Sequence, residues 1–239
     1  MMNYETEQSG IQELSFISAK EQHKATFEKE DLKRLKLIRS DLHYTNLALL
    51  ISDQCPYTIK VAAFQSKDDT ISRKGKEFTG SVLKQMHDVL DYLDIFNLMW
   101  STVEGLYRNE VRDYPGSAIR DALLNLIIQR NYSLSASALI RIYSDRIEFV
   151  SLGGPERGDI SSSRNPELAN VFSHLKLIEV HDDGMSKTMK AYEEREEKPL
   201  IETTKNAFWI TIPNRNAKRI NDYEIRTREE QLSLSHQVL

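Results

Sequence analysis

Asp121, Asn125 and Gln129 recur every fourth residue in the stretch RDALLNLIIQRNYS (120–133). On a helix, positions i, i+4 and i+8 lie one above another, so the three would form a polar stripe on a single face. One reading is an ordinary solvated face, since the rest of the helix is apolar, as at Ala118, Ile119, Leu123 and Leu126. The other is chemical. Asp121 would orient or deprotonate water, and Asn125 would offer an oxygen to Mg²⁺, a hard ion that keeps waters for contact with a triphosphate. That chemistry needs backbone able to approach phosphate without a Cβ in the way. Two glycine turns follow: Gly153-Gly154 after a strand-like segment, and Gly184 at a helix start in DDGMSK, where an N-terminus favours anions. The chain contains no G-x-x-x-x-G-K-[ST], so neither turn is a Walker A loop.

The stripe lies on a helix opened by DYPGSA and followed by a hairpin, ALIRIYS (138–144) and RIEFVSL (146–152), turning at Asp145-Arg146. A Gly/Ser/Pro-rich loop, GGPERGDISSSRNP, leads to helices in PELANVFSHLKLIEV and GMSKTMKAYEERE; KPLIETT and AFWITIP close as strands. Upstream, residues 1–10 are polar and read as a disordered tail, and Ile11 to Arg39 is charged and helical. Thr45 reads as the N-cap of NLALLISD. YTIKVAAFQ (57–65) alternates as a strand, residues 66–78 form a charged loop, residues 81–97 an amphipathic helix, and LMWSTVEGLYRNEV (98–111) a strand. A composition shift at DYPGS separates a unit over 11–112 from one over 113–214, with 215–239 a polar tail. Isolated helices mixed with hairpins predict an α+β fold and not a parallel βαβ series.

The bulk numbers narrow the function classes. With 32 Lys+Arg against 36 Asp+Glu in 239 residues, the net charge of −4 gives no global attraction to nucleic acid. Such binding would rest on local clusters: Lys33-Arg34 with Lys36 and Arg39, Arg73-Lys74 with Lys76, or Arg215 with Lys218-Arg219. Cys55 is the single cysteine, which excludes an intrachain disulfide and a cysteine zinc site. The histidines show no H-x-x-x-H or H-E-x-x-H spacing. Trp100, Trp209 and Tyr132 read as core positions, with Tyr132 also placed to cover a nucleotide base. The opening residues lack the pattern of a secretory leader, and no apolar run reaches the length of a membrane span. A cytoplasmic location is expected.

The ordered set YPGSAIRDALLNLIIQRNYS, ALIRIYSDRIEFVSLGG, SRNPELANVFSHLKLIE, GMSKTM and AFWITIPN, with HYTNLALLISDQCPYTIKVAAF and KEFTGSVLKQ before it, resembles a bacterial family labelled RecG-related. Its members are described as ATP-dependent DNA helicases or transcriptional regulators. The resemblance runs from about Leu32 to Asn214. It implies an α+β chain in which an N-terminal α/β segment precedes a Bergerat-type (GHKL-like) α/β sandwich, a mixed sheet with helices on one face. It implies ATP and Mg²⁺ as cofactors, Asp121 at the general-base position and Asn125 at the Mg²⁺ position. Ser151 falls where classical ATPases of the fold carry an adenine-reading Asp, and Gly153, Gly154 and Gly184 fall at the phosphate turns. Homodimers are implied too. Nucleic-acid contact would come through a Schlafen/AlbA-like domain, for which too few residues precede the match.

Several positions depart from the family pattern. Asp121 is one methylene shorter than the usual Glu. Gln129-Arg130-Asn131-Tyr132 replaces His-Arg-Asp-Tyr, and Asp182-Asp183-Gly184-Met185 replaces Gly-Thr-Gly-Ile. An acidic pair at a phosphate turn repels its ligand. Nothing in the chain resembles a helicase motor. The expected protein is therefore a regulatory or assembly module with a degenerate ATP-binding domain. An active Mg²⁺-dependent ATPase using Asp121 and a DNA-binding protein using the basic clusters are the alternatives.

Overall fold

The computed structural model describes residues 4–23, 27–64, 74–153, 163–178, 185–204 and 206–217. Short helices and strands alternate as α1 (Ile17–His23), α2 (Lys29–Arg34), α3 (Asn46–Ile51), β1 (Ile59–Ala63), β2 (Lys74–Phe78), α4 (Val82–Asp94), β3 (Met99–Glu104) and β4 (Tyr107–Arg112). The chain continues with α5 (Gly116–Ile128), β5 (Ala138–Ile142), β6 (Arg146–Leu152), α6 (Pro166–His174), α7 (Ser186–Ala191), β7 (Leu200–Thr203) and β8 (Ala207–Pro213).

Side-chain caps fix several helix starts. The Thr45 hydroxyl accepts from the Ala48 amide at 3.3 Å, as its sequence position predicts, and Ser81 caps α4 through the Leu83 amide. The cap of α1 comes from a distant segment. Asp53 accepts from the Ile17 and Ser18 amides at 2.8 and 3.1 Å and from the Ser15 hydroxyl at 2.6 Å. Burial works to raise the Asp53 pKa, but these hydrogen bonds outweigh it and hold the carboxyl below the ordinary carboxylate range.

Six strands form one mixed sheet in the order β2-β1-β5-β6-β8-β7. β1 and β5 run parallel, with Ile59 opposite Ala138, and every other neighbouring pair is antiparallel. Period-two alternation sends Ile59 and Val61, Ile140 and Ile142, Ile147 and Phe149, and Phe208, Ile210 and Ile212 to one face, each at most 4 % exposed. Helix α5 packs on β6 and β8, and α4 on β2, so the sheet and its helices form an α/β sandwich. The opposite sheet face is more polar: the Arg141 guanidinium lies 5.6 Å from the centre of the Trp209 ring and 3.6 Å from the Glu148 carboxylate.

Four local expectations change. The sheet runs through the expected boundary at 112/113, because β1 and β2 precede it and β5 to β8 follow it. The expected disordered tail of residues 1–10 is anchored from Tyr4 onward: Tyr4–Thr6 form a 3-10 turn, and the fully buried Glu5 carboxylate accepts the Glu167 and Leu168 amides at 3.1 and 2.7 Å, capping α6. The charged loop of 66–78 ends in β2. The strand expected over 98–111 is a hairpin, turned at Gly105 with φ +63°. Its tip is open, with Leu106 99 % and Tyr107 78 % exposed. Among the described residues, no helix is long and apolar enough to cross a membrane.

Candidate functional site

Helix α5 carries the polar stripe, and the stripe is not a wet face. Asp121 and Gln129 are buried and Asn125 is half-buried. The helix packs against α7 and α6 as well as the sheet, which encloses the side a solvated stripe would need open. The Asp121 carboxylate accepts from the hydroxyl of Thr188, itself fully buried on α7, at 3.0 Å. Asn125 Nδ2 donates to the Asp121 carbonyl one turn back at 2.9 Å. The other end of the Asn125 amide, Oδ1, is an oxygen of the type a hard cation takes.

Downstream of the stripe, polar groups serve to hold backbone. Gln129 Oε1 accepts the Arg164 amide at 3.2 Å. Asn165 Nδ2 donates to the Ile128 and Arg130 carbonyls at 2.7 Å each, satisfying groups that the end of α5 leaves unpaired. Arg130 is buried between the rings of Tyr57 and Tyr132, 5.1 and 5.2 Å from their centres, and donates to the Thr58 and Ala136 carbonyls at 3.0 and 2.6 Å. Tyr132 is a core residue whose hydroxyl donates to the Ile127 carbonyl at 3.0 Å. It does not form an open platform for a base.

At the end of β6, Ser151 stands opposite Phe208 on the helix-covered face of the sheet. Its hydroxyl is buried and has no hydrogen-bond partner among the described residues. Two residues on, Gly153 has φ +93°, and a Cβ there would lie 2.4 Å from Asn131 Cβ. The backbone conformation and the approach of Asn131 both require glycine at this position, independently of any ligand. Gly154 and Gly184 lie outside the described residues. Among the predicted positions, the structure therefore places Asp121 and Asn125 a turn apart on α5, and Ser151 and Gly153 at the end of a strand that α5 packs against.

Thr188 and Asn165 hold Asp121 and the end of α5 through hydrogen bonds that the sequence reading did not anticipate. The Asn-Pro pair at 165–166 signals a helix start, and α6 indeed begins at Pro166. Its use as a clamp on α5 depends on tertiary approach. Thr188 sits in a six-residue helix with no pattern linking it to Asp121.

Cys55 is buried, and burial pushes its thiol up to about 11, which fits a structural thiol and not a nucleophile. No group of three or more His, Cys, Asp or Glu among the described residues could hold a metal ion. In the first basic cluster, Arg34 pairs with Asp31 at 2.7 Å, Arg39 with Asp41 at 3.6 Å, and Lys36 with Glu167. Those charges are answered locally. Arg73, Lys218 and Arg219 lie outside the described residues.

The fold is an α/β sandwich. Residues 136–212 match the family model described as "Putative ATP-dependent DNA helicase recG C-terminal", which bears out the RecG-related resemblance. Ser151 and Gly153 fall inside that segment, while Asp121 and Asn125 precede it. A crystal structure of the DIP2311 protein from Corynebacterium diphtheriae has a similar fold, with a TM-score of 0.76 at 18 % identity over 90 % of this chain and 48 % of that one. The chain thus spans about half the length of that protein. No curated protein matches the chain.

Proposed function

We propose that this chain is a nucleotide-binding regulatory or assembly module in which the ATPase-type site is retained in outline and hydrolysis is attenuated. The observation that carries the reading is the state of Asp121. Its carboxylate is buried and engaged by the Thr188 hydroxyl at 3.0 Å, whereas a general base must reach the water it activates. The binding half is supported by the family match over 136–212, which takes in Ser151, whose hydroxyl has no hydrogen-bond partner among the described residues. Asn125 Oδ1 is the group that would hold Mg²⁺, and the ion when bound would supply charge neutralisation to a triphosphate. Asn125 would orient that ion, Ser151 would read the base, and Thr188 would keep Asp121 out of proton transfer.

Titration with a fluorescent ATP analogue, with and without Mg²⁺, tests this together with a phosphate-release assay. The expected result is Mg²⁺-dependent binding, weakened roughly tenfold by Asn125→Ala, a change of about 1.4 kcal/mol. Phosphate release should be slow and insensitive to Asp121→Asn. Rapid release abolished by Asp121→Asn would establish an active ATPase instead, and an absence of binding would remove the nucleotide reading altogether.

The assembly part of the proposal is a homodimer. A lone two-stranded ribbon is marginal in water, and the β3–β4 hairpin presents Val103, Leu106 and Tyr107 openly. An antiparallel pairing of β4 with a second copy, centred on Asn109, would set Arg108 opposite Glu110 twice. Light scattering of the whole protein should give twice the chain mass, falling to one chain mass for Leu106→Asp.

A further inference from the structure

The chain after β8 folds back beneath β4 and the end of α7. There it borders a half-open cavity of about 400 Å³ lined by Val111, Tyr192, Pro213, Asn214, Arg215 and Arg195, among others. The volume lies within the range of small-molecule sites. Its walls are held by hydrogen bonds that leave little slack. The Tyr192 hydroxyl donates to the Pro213 carbonyl at 2.8 Å, and Asn214 Nδ2 donates to the Ser144 carbonyl at 3.2 Å. The fully buried Asp113 receives Trp100 Nε1 at 2.7 Å and Asn216 Nδ2 at 3.1 Å, and its carbonyl accepts the Arg215 amide at 2.9 Å.

Within this frame Arg215 is anomalous. Its guanidinium lies 5.8 Å from the centre of the Tyr192 ring, and its Nε is buried without a hydrogen-bond partner among the described residues. A buried donor left unpaired is costly, and more so on a charged group. Burial lowers the pKa of this guanidinium from its ordinary value, and the like charge of Arg195 lowers it further; Tyr192 and Asp113 act in the opposite sense. Neither arginine forms an ion pair with a carboxylate among the described residues. The mouth has the contrary charge: Glu194, Glu196 and Glu197 are exposed around it.

We propose that this cavity is a binding site for a small carboxylate-bearing molecule, whose anionic end pairs with the guanidinium groups of Arg215 and Arg195 that line it, while the glutamate rim receives an ammonium or hydroxyl group. A planar carboxylate matches the guanidinium fork. The three rim carboxylates disfavour a dianion, so the site selects a carboxylate over phosphate, and a zwitterion over a simple anion. The site uses no residue of the nucleotide reading and stands independently of it.

The test follows the Arg Nε–Hε resonances of the ¹⁵N-labelled whole protein during titration with acetate, 4-aminobutyrate and inorganic phosphate, each at constant ionic strength. The Arg215 signal should move saturably with acetate, at several-fold lower concentration with 4-aminobutyrate, and least with phosphate. Arg195→Gln, an exposed position that leaves the fold intact, should weaken acetate binding several-fold, and Arg215→Gln should remove it. An unmoved Arg215 signal, an equal shift with chloride, or tighter binding of phosphate than of acetate overturns the proposal. So does an acetate response lost in Asn125→Ala, which would place the anion at α5 instead.

Discussion

The Thr188 hydroxyl and the Asp121 carboxylate join α7 to α5 through a hydrogen bond, and both groups are buried. Thr188→Val is nearly isosteric and removes the donor while leaving the carboxylate in place. It should lower unfolding free energy by about 1–3 kcal/mol, while Thr188→Ser should lose much less; denaturant midpoints read the difference. Gly153→Ala should be destabilising by at least about 1 kcal/mol, because it meets both the +93° backbone and Asn131. Asn131→Gly in the same chain should relieve the contact and leave only the backbone cost. Cys55 provides a pH test. Its folded-state value is raised, so its contribution to stability is present below the unfolded thiol value of about 8.5. That contribution fades as pH rises through about 11. Labelling by a thiol reagent at about pH 8 should accordingly be slow in the folded protein and fast in urea. The Asp–Asn–Gln spacing was legible in the sequence as one helical face, but the direction of that face was not. Its burial depends on α6 and α7 closing over it, which no spacing within 120–133 encodes.

Among the elements, those with strong local signals formed where the sequence placed them. Thr45 and Ser81 cap their helices, and the alternation of 138–152 and 207–213 became β5, β6 and β8. The misread elements owe their form to distant partners. Residues 74–78 are strand because Lys76 and Phe78 pair with Val61 and Ile59, and the segment from Tyr4 is held in place because Glu5 caps a helix far along the chain. Asp53 is of the same kind, capping α1 from beyond α3. Asp53→Ala should cost about 0.5–2 kcal/mol. Its carboxyl is held below the ordinary range, so the stabilisation is present above the unfolded value of about 3.9 and lost as pH falls through the folded value. The gap between wild type and Asp53→Ala in urea midpoints should thus be full near neutrality and close on acidification.

At the scale of the whole molecule, the parallel pairing of β1 with β5 joins what composition divides at 112/113 into one sheet with one core. Trp100 and Trp209 lie on either side of that division. Single-tryptophan variants, Trp100→Phe and Trp209→Phe, should therefore report coincident urea transitions; two separated midpoints would show independent units. The same pairing bears on how the protein is made. Ile59 cannot meet Ala138 until roughly 80 further residues have left the ribosome, about 4–16 s at typical rates of synthesis. Throughout that interval the nascent chain carries Ile59 and Val61 with four of the six strands of their sheet still untranslated, and this is the window in which a holdase chaperone would find it.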